Sequence, residues 1–174
     1  MKNNILTDHT LIIDELETSI KFHNWNFILP FLPKGSYLVG GYIRDIILGR
    51  VNEEIDIDIV VPFNALEIGK KISNNFESKC IILDDKREVV RILLNHISID
   101  IANQVSSTIE GDLSSRDFSI NSIAFLFDQK CLFDPLDGLK DLKISLLRTQ
   151  SEINLQNDPL RILRCFRFVS ELNF

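Results

Sequence analysis

Of the 174 residues only three are cysteines, Cys80, Cys131 and Cys165, and no two form a C-x-x-C pair. That excludes a disulfide framework and a cysteine zinc site, and the thiols read as reduced side chains. Histidine is equally sparse: His9, His23 and His96 are scattered, and no Ser/His/Asp nucleophile arrangement accompanies them. No apolar run approaches the roughly 18 residues of a membrane span. Met1 to Thr10 lacks the apolar core of a signal peptide, so the expected location is cytoplasmic, with no membrane partner. Positive charge is also in deficit: 19 Lys and Arg face 25 Asp and Glu, a net charge of −6. A basic footprint is the usual mark of nucleic-acid binding, so any RNA reading has to rest on local chemistry. No internal repeat and no low-complexity linker divides the chain.

The hydrophobic fraction of 45% and charged fraction of 25% are those of a globular protein. The length suits one domain, or one domain with a short appendage. Charge shifts along the chain. From Lys140 to Arg167 the bases Lys140, Lys143, Arg148, Arg161, Arg164 and Arg167 outnumber Asp141, Glu152 and Asp158.

Leu11, Ile12, Leu16, Ile20 and Phe27 recur at mostly helical spacing and predict a helix over about Thr10 to Ile28. A short strand at Tyr37 to Val39 runs into Gly40-Gly41, and Tyr42 to Leu48 follows as a helix capped by Gly49. Ile55 to Val61 alternates Ile and Asp as a strand does, and Pro62 stops it. Asn64 to Asn75 reads as a helix. Lys79–Leu83, Glu88–Leu94 and Ser98–Asn103 read as strands, Asp112 to Phe127 as a segment that begins helical, and Lys130 to Phe133 as a short strand. Asp158 to Phe174 reads as a helix with Pro159 in its first turn. It shows no stop signal, so the sequence is expected to be a fragment of a longer product.

The stretch Ile55-Asp56-Ile57-Asp58-Ile59 carries the most chemistry. Residues two apart on a strand share a face, so Asp56 and Asp58 lie together and the isoleucines anchor the other side. Two carboxylates that close repel unless a cation sits between them, and hard oxygens suit Mg²⁺. On spacing alone the pair also reads as the solvated face of an edge strand, although Asp is disfavoured in strands. Asp100 supplies a possible third carboxylate. Upstream, Leu38-Val39-Gly40-Gly41-Tyr42-Ile43-Arg44 reads strand, glycines, helix. Such a turn either cradles a phosphate on free N–H groups, with Arg44 adding a charge, or is simply tight.

Taken together, Gly40-Gly41-Tyr42-Ile43-Arg44-Asp45, Leu48-Gly49 and Asp56-Ile57-Asp58 resemble the opening motif of the polymerase-beta-like nucleotidyltransferases. Specifically they resemble the class II tRNA nucleotidyltransferase and bacterial poly(A) polymerase family. Asp112 to Ser122 is similar to that family's R-R-D-F-T-x-N-A segment. Phe133 to Leu142 is similar to its D-P-x-x-G-x-x-D-L segment, and Asn157 to Phe168 to its E-D-P-x-R-x-x-R-x-x-R-F helix. The resemblance covers about Tyr37 to Leu172. Ser115 departs from the first Arg, Ser119 and Ser122 from Thr and Ala, and Asn157 from Glu.

The resemblance implies an α/β (α+β) fold, a small mixed sheet flanked by helices and followed by the first neck helix. Residues 1–34 would be an N-terminal helical extension, 35–150 the catalytic head, and 151–174 the start of a truncated, nucleotide-selecting neck. It implies transfer of CMP and/or AMP from CTP or ATP to the 3′ end of tRNA or another RNA, with two Mg²⁺ ions held by Asp56 and Asp58. Asp100 would complete the catalytic carboxylates. Gly40, Gly41, Arg44, Arg116, Asn121, Asp158, Arg161, Arg164 and Arg167 would bind the nucleotide. Asp158 and Arg161, three apart on one helix face, would read the shared donor–acceptor edge of cytosine and adenine. Without the resemblance, the same helix reads as a solvated basic face with Leu160, Leu163 and Phe168 on the core side. CCA, CC or A addition, poly(A) synthesis, and a non-catalytic nucleotide-binding remnant remain open.

Overall fold

The computed structural model describes residues 5–50 and 54–174, without the side chain of Asn157. One seven-stranded mixed sheet organises it. The strands are β1 (Tyr37–Val39), β2 (Ile55–Val61), β3 (Lys79–Asp84), β4 (Val89–Leu94), β5 (Ile97–Asn103), β6 (Ala124–Leu126) and β7 (Cys131–Phe133). Their spatial order is β3-β4-β5-β2-β1-β6-β7. Only β2 and β5 run parallel; the other neighbours are antiparallel.

The helices are α1 (His9–Phe22), α2 (Gly41–Ile47), α3 (Ala65–Asn75), α4 (Ile109–Ser114), α5 (Gly138–Lys143), α6 (Glu152–Asn157) and α7 (Leu160–Leu172). None of the described helices is long and apolar enough to cross a membrane.

β2 occupies the centre of the sheet rather than an edge, which removes the solvated-edge reading of its aspartates. Ile55, Ile57 and Ile59 are buried with Ile97, Ile99 and Ile101 of β5 and Val90 and Ile92 of β4. This face packs with α1, α2 and α3 into the main core. The opposite face is acidic at Asp56 and Asp58 but apolar beyond, where Val39 and Val60 join Ile109, Leu113 and Ala124 in a smaller cluster. One strand thus buries one side wholly and the other only in its C-terminal half.

Several boundaries differ from the sequence expectation. The first helix ends at Phe22, because Asn24 takes a left-handed φ of 53°, and a 3₁₀ helix, Asn26–Phe31, follows. The segment expected to start helical at Asp112 starts at Ile109, capped by Thr108, whose Oγ1 accepts from Gly111 N–H. It soon gives way to a 3₁₀ turn, Ser119–Asn121, and to β6, a strand too short to announce itself.

The last helix begins at Leu160, not Asp158. A residue before proline is driven out of the helical region, and Asp158 is extended at φ −144°, ψ 90°. Nor does that helix run on without a stop: Asn173 turns left-handed at φ 56°, and Phe174 N–H bonds Val169 C=O at 3.3 Å. Leu160 and Leu163 are 66% and 64% exposed, so they are not the core side of α7; Phe168, at 3%, is.

The alternation on β2 has a direct test. Ile57→Ala is expected to cost about 2–5 kcal/mol through lost transfer energy and a residual cavity. Asp56→Ser, on the exposed side, is expected to stay within about 0.5 kcal/mol. Denaturant midpoints of the two variants check the contrast.

Candidate active site

A cleft of about 660 Å³ opens where the acidic face of the sheet meets α2 and α7. All twelve residues singled out from the sequence line it. The floor is built by register. Asp58 on β2 lies beside Asp100 on β5, and Asp100 lies opposite Arg91 on β4. Asp56, two residues along, shares the face and is exposed.

The glycine turn closes one side. Gly40 has φ 81°, and a Cβ there would sit 2.6 Å from Asp58 Oδ2. The position therefore needs glycine twice over, for its backbone conformation and for room beside the carboxylate. Gly41 has ordinary φ, and a Cβ there would meet the Arg44 guanidinium in ordinary contact, 3.4 Å from Nη2.

Arg44 is buried. Its Nε and Nη2 each donate to Asp45, both at 3.0 Å, and its Nη1 donates to Asn121 Oδ1 at 2.7 Å. Asn121 Nδ2 donates in turn to Asp117 Oδ1 at 3.1 Å. Asp117 Oδ2 accepts from Arg164 Nε and lies 2.7 Å from its Nη2. A continuous relay therefore joins the glycine turn to α7. Phe168 sits within it, with the guanidinium carbons of Arg44, Arg164 and Arg167 at 5.1, 5.5 and 4.9 Å from the ring centroid.

Asp158 and Arg161 are together, though not as two residues on one helix. Asp158 Oδ1 caps the new helix through Leu160 N–H at 3.1 Å, and its Oδ2 lies 3.7 Å from Arg161 Nε. Arg161 Nη1 also donates to Ser115 C=O at 3.1 Å, which ties the helix to the departure at Ser115. Ser119 donates to Asp141 in the place of a threonine, and Ser122 to Phe118 C=O at 2.9 Å. The departure at Asn157 lies outside the described side chains.

The cations are unusual in kind. Of the nine arginines in the chain, seven line the cleft, and no lysine does among the described residues. Most are committed: Arg44 to Asp45, Arg91 to Asp100, Arg161 to Asp158, Arg164 to Asp117 and Arg167 to Glu171. Arg116 lies 3.5 Å from Asp112, and its buried Nε has no hydrogen-bond partner among the described residues. Among the described residues, Asp56 and Asp58 are the only cleft aspartates without an arginine ion pair.

Burial pushes the Asp58 carboxyl above its ordinary range; Arg116 pulls it down, and Asp100 and Asp56 push it further up. Two hard carboxylates on one face, neither in an arginine ion pair among the described residues and one of them, Asp58, penalised for its charge by burial, fit a divalent cation that takes its remaining ligands from water and phosphate. Among the described residues no group of three or more His, Cys, Asp or Glu side chains is arranged to hold a metal unaided.

Sequence reasoning passed over several of these groups. Asp117 sat inside a quoted segment, yet nothing in the sequence showed that it would bind two site residues at once. Arg91 is found by strand parity, since it falls on the acidic face once its register with Asp100 is known. His23 had no assigned role. Its Nδ1 is 2.9 Å from Tyr42 Oη, which also meets Ser19 Oγ at 2.8 Å and accepts from Trp25 Nε1 at 3.2 Å. That cluster fastens the residue after Gly41 to the N-terminal helices. Burial first, and His96 second, hold the His23 imidazole below its ordinary value.

Two outcomes are expected. Gly40→Ala should cost about 1–3 kcal/mol from the disallowed φ and displace the Asp58 carboxylate, whereas Gly41→Ala should be milder; thermal melts compare them. A carboxyl raised in the folded state contributes stability that is present at low pH and lost as pH rises through its folded value. Asp58→Asn should therefore raise the melting midpoint in EDTA at neutral pH, and the difference should close as the pH is lowered.

Residues 36–148 match the family model described as the poly A polymerase head domain. A CC-adding tRNA nucleotidyltransferase of Synechocystis sp. is 40% identical over 148 residues, which is 85% of this chain and 36% of that protein. An A-adding tRNA nucleotidyltransferase of Deinococcus radiodurans is 37% identical over 146 residues, 84% of this chain and 32% of that one. A solved CCA-adding enzyme in complex with ATP superposes with a TM-score of 0.76 at 33% identity, covering 95% of this chain and 41% of the other. The chain thus spans about a third of the length of these curated relatives. On this footing the chain belongs to the poly A polymerase head domain family of RNA nucleotidyltransferases.

Proposed function

We propose that this chain is the transferase head of an enzyme that adds CMP and/or AMP, taken from CTP or ATP, to the 3′ end of tRNA. The observation that carries the reading is the pair Asp56 and Asp58, unpaired in a cleft whose other aspartates each hold an arginine. The names of the relatives, CC-adding and A-adding, support the class of reaction.

In this reading the 3′-oxygen of the RNA forms a bond to the α-phosphorus while the bond to the bridging oxygen breaks and pyrophosphate leaves. Asp56 and Asp58 would hold a pair of Mg²⁺ ions, which when bound favour ionisation of the 3′-hydroxyl and neutralise the leaving pyrophosphate. Gly40 and Gly41 leave the start of α2 open to a phosphate. Arg44, Arg116, Arg164 and Arg167 bring guanidinium charge to the same cleft.

Selection falls to Asp158 and Arg161. Cytosine and adenine both offer an exocyclic amino donor beside a ring-nitrogen acceptor, which an Asp acceptor beside an Arg donor complements. Uracil and guanine present the reverse order and would leave buried groups unpaired. Although Asp158 is a cap rather than part of the helix face, it stands beside Arg161 and both side chains line the cleft, which supports this reading. A second reading, poly(A) synthesis, is favoured by the description of the matching family model.

Incubation of the full-length protein with tRNA lacking its 3′ end, Mg²⁺ and each labelled nucleotide separates the readings. CTP followed by ATP incorporation marks CCA addition; CTP alone or ATP alone marks a divided task; long ATP tails mark poly(A) synthesis. Asp56→Ala is expected to lose about 10²–10³-fold in rate, the worth of several kcal/mol of charge stabilisation. No incorporation by the wild type, with Asp56→Ala indistinguishable from it, overturns the catalytic reading in favour of a nucleotide-binding remnant.

A further inference from the structure

Asp100, unlike Asp56 and Asp58 beside it, is held by an arginine. Its two oxygens accept from Arg91 Nε and Nη2, each at 2.7 Å, in a two-pronged fork across adjacent strands. Such a planar fork combines two charge-assisted hydrogen bonds in one fixed geometry. The same register places Asp100 beside Asp58, so guanidinium, carboxylate and carboxylate stand in a row across β4, β5 and β2. On the apolar face the corresponding residues are isoleucines and valines that fix this register. The Asp100 side chain is 21% exposed and that of Arg91 is 41% exposed. The carboxylate is thus partly withdrawn from water, while the cation can swing into solvent without loss of core packing.

We propose that Arg91 is a built-in counter-ion for Asp100, holding the third carboxylate while the site is free of divalent cation and releasing it to the cation that Asp56 and Asp58 attract. This rests on the reading of Asp56 and Asp58 as cation ligands. Without Arg91, three carboxylates would share one small face. With it, the surplus charge falls to the two that await the metal. Release is an exchange of one pairing for another, because the freed guanidinium keeps its hydration and its stem remains on β4. Arg91 is therefore a positioning residue: it acts through Asp100 and sets how tightly the cation binds.

Mn²⁺ titration followed by electron paramagnetic resonance, together with melting midpoints in EDTA, tests this on the whole chain. Arg91→Met is expected to tighten Mn²⁺ on the order of tenfold, since a positive charge near the ion is gone at a half-exposed position. It should also lower the metal-free midpoint. Arg91→Lys keeps the charge and should bind Mn²⁺ close to wild type. The gain should vanish in Arg91→Met/Asp100→Asn.

Unchanged or weaker Mn²⁺ binding in Arg91→Met, with folding verified by circular dichroism, overturns the counter-ion role, as does a gain that survives in the double variant. Asp58→Asn reports separately on the underlying site. Loss of Mn²⁺ binding there leaves that site standing whatever Arg91 does. Wild-type binding in Asp58→Asn removes the site and the counter-ion with it.

Discussion

Asp58 is a carboxylate drawn partly out of water beside another carboxylate, and the surrounding structure answers to that constraint. Its strand is central because three isoleucines on the reverse face need a core on that side. Burying the reverse face brings Asp58 into a half-buried position where ionisation is penalised. The turn beside it must be Gly40, because any Cβ would occupy the carboxylate's own space. Fold and site therefore share one cause, an alternating strand whose anchoring face and working face cannot be separated.

Around that pair the protein spends its arginines in fixed assignments. Arg44, Asn121, Asp117 and Arg164 form one hydrogen-bonded chain from the glycine turn to the last helix, and three guanidinium groups gather on the ring of Phe168. Guanidinium suits this work better than ammonium. It forms planar forks, stacks on aromatic rings and tolerates partial burial. The relay makes α7 part of the site, since a shift of that helix would move Arg164, Asp117 and, through Asn121, Arg44 together.

The fold was legible in the sequence where periodicity was strong and tertiary context agreed with it. β2 announced itself through strict alternation, and the acidic pair, the glycine turn and the arginines of α7 all reached the cleft. What the sequence concealed had local causes. Pro159 expels Asp158 from the helix, so the expected face of Asp158 and Arg161 became a cap and a neighbouring ion pair. Asn24 and Asn173 end helices through left-handed backbone, which an Asn in the sequence permits but does not require. β6 is three residues long, and its strand character comes from pairing with β1 and β7. The partners of Arg91 and Asp117 depend on sheet register and on contacts 9 and 47 residues apart. No local pattern encodes these.

The acidic balance of the whole chain, which argued against handling RNA, loses its force once charge is placed. Net charge governs long-range attraction, and exposed charges more than a Debye length apart are largely screened in salt. A ligand entering the cleft meets seven arginines at short range, most of them partnered by carboxylates. Pairing lowers their pull on distant polyanions but orients each guanidinium in advance. In the proposed reading a phosphate or a base edge would meet guanidinium groups already oriented, with less ordering left to be done on binding. The two aspartates without an arginine are the exception that gives the arrangement its direction. Among the described residues every other cleft aspartate has its counter-charge from an arginine, and in the proposed reading a diffusible cation supplies it for these two.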